Sequence, residues 1–268
     1  MARHCNVRAM EGVYHAGMRK WRRRLTLLIL AIVSGPAMVG VSGAINLRAD
    51  WRTASRDSAG LAPDPATTTE AVIPVYAARA FNWRGLFAVH TWIAIKAENA
   101  KAFTVHQVLG WNKWSGHSVV DSRIDLPDRR WYAAEPTIVA DLRGQRAAEL
   151  IGPLEAAIRR YPYPHDYGLW PGPNSNTFVA FVGREVPALQ LNLPVTAIGK
   201  DYLVGGAMVG LSPSGSGGQV SLAGALGVMV AKREGLEVNV LGLVFGIDVL
   251  RPAIKLPGIG RLGFAASR

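Results

Sequence analysis

In 268 residues there is one cysteine, Cys5. The chain beyond it therefore has no disulfide framework, no thiolate metal site and no cysteine nucleophile. No His/Asp/Glu set has the spacing of metal ligands. The Gly-rich stretch "SPSGSGGQ" (212–219) lacks the lysine of a phosphate-binding loop. No cofactor and no metal are expected. A repeat of fixed period is also missing, which excludes solenoids and propellers. Acidic residues are scarce, 19 against 30 Lys and Arg, for a net charge of +11. Seven of those cations lie in residues 1–24, where the only acid is Glu11. The rest of the excess is thin and forms no basic stripe interleaved with aromatics, so nucleic acid is not expected as a partner.

What is present first is a targeting signal. Residues 25–47, "LTLLILAIVSGPAMVGVSGAINL", carry no charge. A span of ~20 apolar residues suffices to cross the hydrocarbon core. The cluster Arg19–Arg24 lies immediately before it, and positive flanks stay cytoplasmic. The sequence thus predicts a basic cytoplasmic head (1–24), an inner-membrane anchor (25–47), a polar Pro-rich linker (48–71) and a single periplasmic domain (72–268). Cleavage after Ser42-Gly43-Ala44 is the competing reading, and Met18 is an alternative start. The retained anchor is preferred because the apolar stretch is long for a signal peptide.

Along the domain, "RGLFAVHTWIAIKA" and "AFTVHQVLGW" (102–111) read as a β-hairpin across Ala97–Lys101. Residues 135–160 switch to helical spacing, with Pro136 in a first turn, Gly144 as a stop and Gly152-Pro153 as a break. Phe178, Val182 and Val186, four apart, mark a second helix. The Gly-rich apolar stretch 218–250 reads as two long antiparallel strands around Lys232–Gly235. Leu241–Phe245 is apolar on both faces, so such a pair is either covered on both sides or lies against a membrane. Strands flanking a helical middle imply an α+β fold with a mostly antiparallel sheet and a few helices. Lys200-Asp201 reads as a surface turn. The tryptophans, among them Trp83, Trp92, Trp111, Trp114 and Trp170, suit either a glycan or lipid cleft or, more simply, core and interface positions.

The stretch "WPGPNSNTFVAFVG" (170–183) carries the sharpest chemical question. Ser175 sits where a helix should start, among unpaired backbone N–H groups and at the positive end of the macrodipole. Those groups favour an oxyanion, but Asn and Ser are also the preferred N-caps. A serine nucleophile needs a base, most often His. His90, inside an apolar strand, is the first candidate. His106 or Gln107, one strand later, could fix its tautomer, and alternation allows only one of them to do so. His165 is the second candidate, and His117 reads as a solvated loop residue.

A strand His, a polar residue one strand later and a helix opening with "NSNTFV" (174–179) resemble the circularly permuted NlpC-type, papain-like hydrolases. That resemblance implies catalytic roles for Ser175, His90 and His106, with Ser175 standing where the family has cysteine. It leaves open a Ser-dependent amidase or acyl hydrolase acting on cell-wall peptide or lipid, or a binding or scaffold module with a degenerate site. The segments "GLFAVHTWIAIK", "YPYPHDYGLWPGPNSNTFVAFV" and "LPVTAIGKDYL" also resemble an uncharacterised bacterial family of membrane-anchored proteins, from Trp51 to Phe264. That likeness implies no activity.

The topology is testable directly. A reporter fused after Arg268 should be active only outside the cytoplasm, and activity confined to the cytoplasm would contradict the predicted orientation.

Overall fold

The computed structural model describes residues 2–43, 45 and 47–264, without the side chains of residues 2–17, Leu25, Leu27, Leu28 and Ala31. Ala44 of the expected cleavage site lies outside the described residues, as does the side chain of Cys5. A first helix, α1, covers Ala2–Val41 and runs through Pro36. Among the described residues no helix is long and apolar enough to cross a membrane. The end of α1 is nonetheless docked. A Cβ at Gly35 would lie 2.1 Å from the carbonyl oxygen of Pro257, so only glycine lets the two backbones meet there.

Two antiparallel sheets follow, in agreement with the expected α+β class. The first has the order β4-β3-β2-β1-β5. Its strands are β1 Val72–Arg79, β2 Val89–Ile95, β3 Thr104–Val108, β4 Val120–Ile124 and β5 Thr137–Arg143. The expected hairpin is β2–β3. Residues 135–160 depart from the helical expectation. Their first half is β5, paired to β1, and helix α2 (Gly144–Arg159) begins only at Gly144. Gly144 has φ +62, so it is the hinge from strand to helix rather than a helix stop. Pro153 lies inside α2, which continues because Leu154, Ala157 and Ile158 are buried beyond it.

Helix α3 (Ser175–Glu185) packs beside α2 on one face of this sheet. Ile73, Val75, Ile93, Leu154 and Phe178 form the core between them. On the other face lies a smaller cluster of Tyr76, Trp92, Phe103 and Val105, capped by Trp131. The segment expected as a linker is pinned over this second face. Asp128 accepts hydrogen bonds from Ser58 Oγ and from the N–H groups of Leu61 and Ala62.

The second sheet is a seven-stranded meander. Its strands are β6 Val209–Leu211, β7 Gly217–Leu222, β8 Leu226–Ala231, β9 Gly235–Val240, β10 Leu243–Asp248, β11 Ala253–Leu256 and β12 Gly260–Gly263. The two long strands expected over 218–250 are in fact four, β7 to β10. The pattern alternates, but inverted: the polar side chains face inward. Gln219, Ser221, Glu237, Asn239 and Lys255 are buried, while Val220, Val228, Val230 and Val238 are exposed.

The inward face is held by ions. Lys200, expected in a surface turn, is fully buried, and its Nζ donates to Glu237 Oε2 at 2.5 Å and to Asp201 Oδ1 at 3.3 Å. Lys255 Nζ takes the other Glu237 oxygen at 2.6 Å. Burial pushes the Glu237 carboxyl up, but the two ammonium groups outweigh it and hold it below the usual carboxylate range. Arg184 of α3 ties the helix to the sheet through Leu211 O and Gln219 Oε1.

Removing one member of a buried ion cluster typically costs ~3–5 kcal/mol, because its partners stay buried and unpaired, whereas replacing the whole set by apolar groups is often neutral. Glu237→Leu should therefore lower the urea midpoint strongly. The quadruple variant Lys200→Met, Asp201→Asn, Glu237→Leu, Lys255→Met, which also removes the buried partner of Lys200, should recover most of that loss. Equal stability of Glu237→Leu and the parent would show that the cluster does not hold the sheet.

Candidate functional site

The start of α3 is organised by its own side chains. Asn174, in extended conformation, is the N-cap, and its Oδ1 accepts from Asn176 N at 2.9 Å and Thr177 N at 3.1 Å. Thr177 Oγ1 accepts in turn from Asn174 N at 3.2 Å, closing a capping box. The Asn174 amide also donates to Leu169 O and Ile198 O. A Cβ at Gly199 would lie 2.4 Å from Asn174 Nδ2, so glycine is required beside the cap. Asn176 fastens the helix to β2, donating to Val89 O and accepting from Thr91 Oγ1 at 2.9 Å.

Three of the four residues in Asn-Ser-Asn-Thr are thus spent on structure. Ser175 is the exception. It is not the cap, its hydroxyl makes no hydrogen bond among the described residues, and it lines a cleft of about 1390 Å³.

Thr91 faces α3, so alternation turns His90 and Trp92 to the opposite face of the sheet, and the cleft reaches both faces at the start of β2. The His90 ring stacks on Trp131 with centroids 3.7 Å apart. Its Nε2 lies 3.1 Å from Gln107 Oε1. Gln107 Nε2 donates to Asp121 Oδ2 at 3.2 Å, and a carboxylate can only accept. The amide oxygen therefore faces the imidazole, and the Nε2 of His90 carries the proton. Burial pulls the His90 pKa down to about 4, against a smaller upward pull from the Gln107 bond, so the ring is neutral at pH 7.

The expected pairing is corrected in two respects. His106 does not touch His90. It points to the helix side of the sheet, where its Nδ1 lies 2.8 Å from Ser122 Oγ, and Gln107 takes the place beside His90. No hydrogen bond joins Ser175 Oγ to His90. The second candidate, His165, is exposed and lies outside the cleft lining, and His117 is the solvated loop residue expected.

The cleft walls are aromatic and cationic. Seven of the eight tryptophans line it. Trp131 is the hub, with Trp111 at 5.9 Å and Tyr132 at 5.1 Å between ring centroids. Five arginines, Arg56, Arg84, Arg123, Arg129 and Arg130, share the lining with Asp121 and Asp125. Arg123, Arg129 and Arg130 have carboxylate partners. Arg56 and Arg84 lie over the rings of Tyr132 and Trp83 and have none among the described residues. Among the described residues no group of three His, Cys, Asp or Glu could hold a metal ion.

Parity along β3 would have favoured Gln107 over His106 once the hairpin register was known. Nothing in the pattern around Trp131 pointed to it, because it sits in an irregular segment.

Residues 70–202 match the family model described as "Protein of unknown function (DUF3750)". The match takes in the first sheet, both packed helices and most of the cleft, and it stops before the seven-stranded sheet. No curated protein and no solved structure matches the chain.

Two histidines make stability pH-dependent. Burial also lowers the His106 pKa to about 4, while an imidazole in the unfolded chain titrates near ~6.5. Between those values the unfolded chain binds protons that the folded chain refuses. Stability is therefore full above about pH 6.5 and falls as the pH drops toward 4, by up to ~3 kcal/mol per ring. The melting temperature should fall through that window, and His90→Gln with His106→Asn should flatten the fall. An unchanged slope in the double variant would refute the assignment.

Proposed function

We propose that the chain is a membrane-anchored periplasmic protein whose cleft binds envelope material without turning it over. The observation that carries this reading is the absence of a serine–base pair. His90 donates its Nε2–H in a hydrogen bond to Gln107 Oε1, is held neutral by burial and makes no bond to Ser175. A base with a pKa near 4 is poorly matched to taking a proton from a serine at neutral pH. The helix start offers little to an oxyanion, since the N–H groups of Asn176 and Thr177 are already bonded to the Asn174 side chain. The anchor over 25–47 and the periplasmic placement rest on the charge pattern of the N-terminal sequence.

The walls define the ligand chemistry. Aromatic faces suit an apolar body, and Arg56 and Arg84, without carboxylate partners, suit a carboxylate or phosphate attached to it. Cell-wall peptide and anionic lipid are the two envelope sources of that combination. One observation favours a second reading, a papain-like Ser hydrolase: the Ser175 hydroxyl is unbonded and opens onto the cleft at a helix start.

Full-length protein in detergent should show no labelling by a serine-directed fluorophosphonate. Ser175→Ala should leave the melting temperature nearly unchanged, whereas Asn174→Ala should cost ~1 kcal/mol or more as a lost cap. Titration with a stem peptide and, separately, with phosphatidylglycerol should quench tryptophan fluorescence for one of them. Arg56→Ala with Arg84→Ala should weaken that binding at least about tenfold, equivalent to ~1.4 kcal/mol. Labelling that disappears in Ser175→Ala would instead establish the hydrolase.

A further inference from the structure

The seven-stranded sheet is apolar on the wrong side. In-register pairing aligns its outward residues in continuous rows across the strands. One row runs Val209, Val220, Val228, Val238 and Phe245. Another runs Val230, Leu236, Ile247, Ile254 and Leu262. The aliphatic members of these rows range from 39% exposed at Val238 to 72% at Val209. Strands about 4.8 Å apart make this a face of roughly 500 Å². Monomeric proteins rarely expose contiguous apolar patches beyond a few hundred Å².

We propose that this face is a membrane-seating surface, lying against the acyl region of the same bilayer that the segment 25–47 enters. Two observations select lipid over a second copy of the chain. The first is charge. From residue 203 to the end of the described chain the acids are Glu234, Glu237 and Asp248, and all three are buried. Lys232 and Arg233, in the β8–β9 turn, are not buried; Arg251 is paired with Asp248, and Arg261 stands opposite Lys255 on the inner face. An aliphatic surface free of exposed acid, with the cations of one turn at its edge, matches an anionic bilayer. Two copies placed face to face would bring like charges together. The second is continuity. Helix α1 docks on the β11–β12 turn of this same sheet midway along the uncharged segment, so the part before Gly35 is what continues from the sheet toward the bilayer. Gly35 lies against Pro257, and a Cβ at Gly258 would lie 2.7 Å from Pro36 N. The helix leaves Ile29, Leu30 and Val33 exposed. Anchor and sheet then present one apolar surface.

The inference rests on the anchoring part of the reading above, and the test separates the two. Full-length protein carrying Cys5→Ser and a single Val228→Cys, labelled with an environment-sensitive fluorophore, is reconstituted into vesicles of phosphatidylethanolamine and phosphatidylglycerol. Val238→Cys provides a second position on the face, and Glu149→Cys, exposed on α2, is the reference. Labels at 228 and 238 should be quenched several-fold more by acyl-chain doxyl lipid than the label at 149, and should be shielded from iodide. Quenching by iodide alone, with the protein still floating with the vesicles, would overturn the seating surface and leave the anchor. Shielding from both quenchers would show a protein partner on the face and overturn it equally. Failure to float would overturn both.

Discussion

The rest of the architecture depends on a carboxylate, Glu237, whose two oxygens are each taken by a buried lysine. Burying four ions, with Asp201 beside Lys200, costs several kcal/mol per charge before pairing, and pairing offsets that cost only where every donor is used. Lys200 comes from the loop after α3, Lys255 from β11 and Glu237 from β9, so the cluster joins three distant parts of the chain. Asn239 and Gln219 add bonds to Asp201. With the polar rows committed inward, strand alternation leaves the aliphatic rows no place but outside. The unusual outer surface is a consequence of the ionic interior.

The same cluster bears on the cleft. Ile198 and Gly199 lead into Lys200, and their carbonyls receive the amides of Asn174 and Asn176 and the hydroxyl of Thr177. Trp170 donates to Leu241 O in the β9–β10 turn. The cleft therefore has one wall from the first sheet and a margin from the second. The family match covers only the first of these regions, which agrees with the helix start and the His90 face belonging to one structural unit.

Much of the first sheet was readable in the sequence. The His90 strand, the following strand and the helix over 175–185 follow from local periodicity, and they are the elements whose apolar pattern is set by burial on a single core. The segment 135–143 misled because Ile138 and Leu142 are spaced for a helix, while pairing with β1 decided the conformation. His106 misled because a histidine looks more reactive than a glutamine. Which of two neighbours faces His90 depends on register and face, which a single strand does not reveal.

By itself the sequence determined the α+β class, the hairpin, the start of α3 and the uncharged segment between a basic cluster and the domain. Each depends on residues close together in the chain. Tertiary structure alone decided that Asn174 is the cap and Ser175 is left free, that Lys200 is buried and that seven tryptophans share a cleft. It also decided which face of the second sheet is inside. An alternating strand gives two faces without saying which one is the interior, and here the inner face is chosen by ions more than thirty residues apart.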